Sequence, residues 1–186
     1  MAFRSWTLLV VVAISAVGNP ARANLVTNPG FETGDFTGWT QSGNIGFTGV
    51  DGSPHSGSSA AFFEPIGSLG FISHNLGTTP GAGYDLRFFL RTDGGTPSEF
   101  QVLWNGAVVL DKTNLPATGY SETDLPNLLA TGALTPLTFG FRDDSGFMFF
   151  DDVSVTPTPE PATVVLFATA LAAAGLGAWG RLIRGK

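Results

Sequence analysis

The chain has 186 residues, a net charge of −6 and no cysteine. Without cysteine, thiol catalysis, disulfide staples and cysteine-based metal sites are excluded. Residues 24–158 carry only Arg87, Arg91, Lys112 and Arg142 against fourteen acids, a net charge of −10, which argues against a nucleic-acid partner.

Both ends read as addressing segments. Met1 to Ala23 is expected to be a secretory signal peptide. Arg4 supplies the positive region, Leu8 to Val17 the apolar region, and Ala21-Arg22-Ala23 the small-x-small cleavage site. At the other end, Pro159-Glu160-Pro161 is followed by nineteen uncharged residues, Ala162 to Gly180, and then by Arg181, Arg184 and Lys186. As a helix those nineteen residues would be roughly 28 Å long, about the thickness of the hydrocarbon core of a bilayer. A transmembrane helix over 162–180 with a basic cytoplasmic end at 181–186 is therefore expected, with the rest of the chain on the far side.

Between the ends the pattern is β. Short runs rich in Phe, Val and Leu are interrupted every 8–12 residues by Gly, Pro, Asn or Asp, as in a sandwich or barrel. Strands are predicted over Phe31 to Thr37, Ala60 to Phe63 and Gly70 to Leu76. Tyr84, Leu86, Phe88 and Leu90 alternate with Asp85, Arg87 and Arg91, the period of a half-buried strand. Phe100, Val102 and Trp104 alternate likewise, and Asn105-Gly106 suits a type I′ turn into Ala107 to Leu110. Leu115 to Thr135 has two prolines and no clean period. Leu137, Phe139 and Phe141 alternate again. Asp143 to Gly146 is a turn, and Phe147 to Val155 is the last strand. One domain over 24–156 is expected, then a proline-rich linker and the Pro-Glu-Pro box at 157–161.

Catalytic patterns are lacking. There is no Gly-x-Ser-x-Gly elbow, and the only histidines are His55, in a Gly-Ser loop, and His74, in a strand. Gly67 to Gly70 lacks the Lys-Ser/Thr of a phosphate loop, and Asp143-Asp144 is explained by turn chemistry. A hydrolase therefore finds no motif. Among the aromatic residues, Trp104 shares phase with Phe100 and Val102 and reads first as core, and Tyr84 leads a strand with apolar partners and reads as core or rim. Trp104 and Tyr120 are the candidate sugar contacts. Asp151 shares strand parity with Phe149, Val153 and Val155, and Asp152 has the opposite parity. A carboxylate on an inward face needs a partner. For Asp151 this is either a hard cation such as calcium or Arg87, Arg91 or backbone amides.

Two resemblances add to this reading. The order of box, span and basic end resembles the PEP-CTERM sorting signal of Gram-negative bacteria. It implies export across the inner membrane, anchoring before processing by an exosortase-type protease, and then a place at the cell surface or outside it. Asn24 to Glu32 with Phe36 and Trp39, the Asp51 to Ser58 loop, and Phe149 to Val155 resemble galactose-binding-like jelly rolls, in particular carbohydrate-binding modules of the family 4/9/22 type. That resemblance implies an all-β jelly-roll sandwich. It also implies a structural calcium held by Glu32 and Asp151, with carbonyls from Gly30 and from near Ser53 or Ser56. Together they imply an exported, non-catalytic surface or matrix protein associated with exopolysaccharide or biofilm, with a lectin-like carbohydrate-binding module as the alternative.

Overall fold

The structure is a computed structural model, and it describes residues 22–159. The expected membrane span, most of the signal peptide, and Glu160, Pro161, Arg181, Arg184 and Lys186 lie outside the described residues. Within them no helix is long and apolar enough to cross a membrane.

Ten strands form two five-stranded antiparallel sheets. They are β1 (Thr40–Gly43), β2 (Thr48–Asp51), β3 (Ala60–Phe63), β4 (Gly70–Gly77), β5 (Gly83–Thr92), β6 (Ser98–Trp104), β7 (Ala107–Thr113), β8 (Thr118–Leu129), β9 (Leu134–Asp143) and β10 (Met148–Pro157). The first sheet has the order β1-β4-β9-β6-β7 and the second β2-β3-β10-β5-β8. The chain therefore passes repeatedly from one sheet to the other, and the all-β sandwich is as expected.

The alternating phenylalanines meet between the sheets. Phe88, Phe100, Phe139, Phe141 and Phe150 are fully buried. Phe150 lies 4.6 Å from Phe139 and 5.4 Å from both Phe88 and Phe141, ring centre to ring centre. Phe63 stacks on Phe141 at 3.8 Å. Offset and edge contacts of this kind add to the area term that drives the core together. Asn105 (φ 52°) and Gly106 (φ 80°) make the predicted tight turn between β6 and β7.

β1 and β2 have no counterpart in the sequence expectation, and two further segments differ from it. Phe31 to Thr37 is a series of turns, not a strand. The Asn28 side chain donates to the carbonyls of Asp35 and Thr37 and accepts from the Thr33 amide, which folds the segment back on itself. Phe31 is still core, packed on Phe36, Trp39 and Phe150. Conversely, the patternless stretch holds the longest strand, β8. It is an edge strand with mostly exposed side chains, so it needs no apolar period and tolerates Pro126.

The chain entry is clasped to the last strand. The Leu25 amide donates to the Val155 carbonyl, the Val155 amide to Asn24 Oδ1, and Asn24 Nδ2 to the Val153 carbonyl.

Candidate functional site

Asp151 lies on the other side of its sheet from the one its parity predicts. The register of β10 against β5 shifts between Asp151 and Ser154, and Asp152 has φ 52°. This bulge resets the alternation. Phe150, Val153 and Val155 face the core, whereas Phe149 and Asp151 stand in register with Arg91 and Phe89 on the outer face. Asp151 is nonetheless fully buried, because the loop 52–59 folds over it.

That loop is held by carboxylates. Asp151 Oδ2 accepts from the His55 and Ser56 amides at 2.8 and 3.2 Å, and Oδ1 accepts from the Asp152 amide at 2.7 Å. Glu32 accepts from the Ser58 and Ser59 amides at 2.9 and 3.1 Å. Ser56 Oγ donates to Asp152 Oδ1, and His55 Nδ1 lies 2.7 Å from Asp152 Oδ2. Of the partners open to Asp151 from the sequence, the backbone amides are those it meets. Burial pushes its carboxyl up, and the three amides pull the other way. Asp151 and Asp152 meet at Gly30, where a Cβ would lie 3.3 Å from Asp151 Oδ1 and 3.5 Å from Asp152 Oδ1, whereas the Glu32 carboxylate lies at Gly57. Carboxylate oxygens are the ligand type that calcium takes. Among the described residues no group of three or more His, Asp or Glu side chains is set to hold a metal. An ion here would therefore need main-chain carbonyls as well. The Ser53 carbonyl already accepts the Tyr120 hydroxyl at 2.7 Å.

Of the two sugar candidates, Trp104 presents no ring face. Trp104 is 4 % exposed, and its indole N–H donates to the Leu129 carbonyl at 2.8 Å. It belongs to the core, as its phase with Phe100 and Val102 suggests. Tyr120 is half-buried and clamps the 52–59 loop through its hydroxyl. Burial, reinforced by the Asp151 charge, pushes its phenol far up. The histidines form no catalytic chain. His55 stacks on Phe89 at 3.6 Å, and the nearby Ser56 hydroxyl donates to Asp152 instead of the imidazole. His74 Nε2 accepts the Thr27 amide, and burial pushes its pKa down.

One further arrangement is not among the sequence candidates. On the outer face of the first sheet, Phe71, Gly140, Gln101 and Asp111 form one row across β4, β9, β6 and β7. A Cβ on Gly140 would stand 2.8 Å from Phe71 Cε1, so the ring lies down over the glycine. Gly43 flanks the other side of the ring. Gln101 Nε2 donates to Glu99 Oε1 at 2.6 Å and to Asp111 Oδ2 at 3.1 Å, leaving its own carbonyl and the carboxylates as acceptors. Arg142 lies one row along, in a two-pronged pair with Asp144 at 2.9 Å. The sequence signal is a glycine inside an aromatic strand, Phe139-Gly140-Phe141, which marks a close approach from a neighbour.

No family model matches the chain, and no curated protein matches it. Solved structures do. TmCBM61 in complex with β-1,4-galactotriose is 21% identical, with a TM-score of 0.58 over 73% of this chain and 99% of that one. The CBM22-1 xylan-binding domain from Paenibacillus barcinonensis Xyn10C is 14% identical, with a TM-score of 0.54 over 77% of this chain and 100% of that one. The C-terminal family 22 carbohydrate-binding module of Clostridium thermocellum Xyn10B is 15% identical, with a TM-score of 0.52 over 70% and 94%. The chain shares its jelly-roll fold with carbohydrate-binding modules. At these identities the likeness concerns the fold.

Proposed function

We propose that residues 24–156 form a non-catalytic polysaccharide-binding domain and that the outer face of the first sheet is its binding face. The cross-strand row Phe71-Gly140-Gln101-Asp111 carries this reading. A pyranose ring has an apolar C–H face that suits the negative face of an aromatic ring, and hydroxyls that donate to carboxylate and amide oxygens. Phe71 supplies the first, and Glu99, Gln101 and Asp111 supply the second. Support also comes from the fold shared with modules that bind β-1,4-galactotriose and xylan. A domain charge of −10 selects for neutral polysaccharides and against acidic ones.

Delivery would depend on the ends of the chain. The tail from Pro159 would route the protein to the surface or matrix through an exosortase, where a polysaccharide ligand is exopolysaccharide or biofilm material. A calcium ion held by Glu32 and Asp151, with the Gly30 carbonyl and one from Ser53 or Ser56, would pin the first loop to the last strand. Such an ion supplies structure, not chemistry.

Affinity electrophoresis of the full chain in neutral β-glycan gels tests the binding face. Phe71→Ala and Gln101→Ala should each weaken retention at least tenfold without lowering the melting temperature. Unchanged retention would remove this face from consideration. A chelator that leaves the melting temperature unchanged would do the same for the ion.

A further inference from the structure

The outer face of the second sheet carries its own row. Gly49, Phe62, Phe149 and Arg91 are in register across β2, β3, β10 and β5. A Cβ on Gly49 would stand 2.6 Å from Phe62 Cζ, so this ring also lies over a glycine. Phe147 stands edge-on to Phe62 at 5.9 Å and lies 6.1 Å from Phe149. The Arg91 guanidinium covers a face of Phe149 at 3.7 Å. Asp51, Phe62, Phe147 and Phe149 line a recess of about 230 Å³. Asp51 Oδ1 accepts the Ser53 amide at 3.0 Å, while Oδ2 has only a 3.5 Å approach from the Ser53 hydroxyl.

The chemistry of the recess narrows its occupant. A wholly apolar guest would bury the Asp51 oxygen without a donor, which is costly. A cation would meet the Arg91 charge already seated on Phe149, and an anion would meet Asp51. A neutral guest with an apolar face and hydroxyl donors satisfies every wall. The volume suits one small ring, unlike the open row on the first sheet.

We infer that this recess is a second carbohydrate site, taking a single pyranose unit such as a chain end or branch, so that one domain holds sugar on both faces and bridges polysaccharide chains. The inference rests on the reading that the domain binds carbohydrate, and it adds a site on the opposite face.

The test uses the full chain with soluble β-1,4-galactan and β-1,4-xylan, reading retention in gels and bridging by light scattering. Phe147→Leu keeps apolar bulk but removes the ring, and Asp51→Asn keeps shape but removes charge. Each should cut scattering at least tenfold while retention persists through the first face. Phe71→Ala should leave residual retention that adding Asp51→Asn abolishes. If both recess variants scatter like the wild type and Phe71→Ala alone removes retention, the second site is overturned and the first stands. If Phe71→Ala changes nothing while the recess variants abolish retention, the recess stands and the first-face reading falls. Failure of the wild type to retain either polysaccharide overturns both. Scattering without polysaccharide that Phe147→Leu abolishes would mark a self-association surface and also overturn the proposal.

Discussion

On the first sheet Phe71 lies across Gly140, half-buried, and the row continues in hydrogen-bonding side chains. On the second sheet Phe62 lies across Gly49, but the row continues in another ring and a guanidinium, and Phe147 stands up beside it. The two faces share one device, a phenylalanine lowered onto a neighbouring glycine. They differ in the surroundings of that ring. β7 is an exposed edge strand, whereas β2 runs on into the loop that Asp151 and Glu32 hold down. An aromatic residue on a sheet thus becomes an open platform or a walled recess according to the loop beside it.

Substitutions should pull the two faces apart, except where they strike the core that both share. Phe150→Ala should have the strongest effect, because it removes a ring that touches Phe31, Phe88, Phe100, Phe139 and Phe141. It should cost about 3–5 kcal/mol in denaturant unfolding and abolish retention through both faces at once. Gly57→Ala should act on one side only. Gly57 has φ 69°, and a Cβ there would collide with the Glu32 carboxylate, so a loss of about 1–3 kcal/mol is expected. Scattering should fall with it while retention through Phe71 survives. Gly140→Val should do the converse. It lifts Phe71 and should weaken galactan retention roughly tenfold, about 1.4 kcal/mol, without disturbing the recess.

Acidity should move both faces together. Asp143 sits across from Ser98 at the shared end of the sandwich, fully buried, with Oδ2 lacking a partner. Burial raises its folded pKa above the unfolded 3.8. The folded state therefore keeps a proton that the unfolded chain has lost. This stabilisation is complete below pH 3.8 and fades as pH rises through the folded value. Melting curves from acid to neutral pH should show that decline, and Asp143→Asn should flatten it. The weakest effect belongs to Arg87–Asp124, an exposed 3.2 Å pair on the second sheet. Asp124→Asn should change unfolding by about 0–1 kcal/mol and alter neither face.

The alternating strands were legible because burial on one side imposes a period of two, as in Tyr84 to Leu90 and in Leu137 to Phe141. β1 and β2 have four residues each, too few to show a period, and β8 is a mostly exposed edge strand with Leu125 and Leu128 packed on the core, so none of the three was. Phe31 to Thr37 has strand composition but obeys the side chain of Asn28. At the site, the resemblance implies a calcium set of Glu32, Asp151, Gly30, Ser53 and Ser56; in the structure Asp151 and Glu32 hold the 52–59 loop through its amides, and Ser56 donates to Asp152. Parity gives the wrong side of the sheet for Asp151, because one bulge at Asp152 reverses the alternation of everything before it. Trp104 and Tyr120 stand out in the sequence as large rings. Phe71 does not, because a ring becomes a platform only through a glycine on another strand, and that pairing is not local in sequence.

The clasp between Asn24 and Val155 has a mechanical consequence. β10, which leads to the tail, is the central strand of its sheet, paired with β3 on one side and β5 on the other. Tension between the tail and a ligand held on either face would load those ladders lengthwise. Their hydrogen bonds would have to shear together instead of peeling one by one, and the domain would resist drag applied at its β10 end.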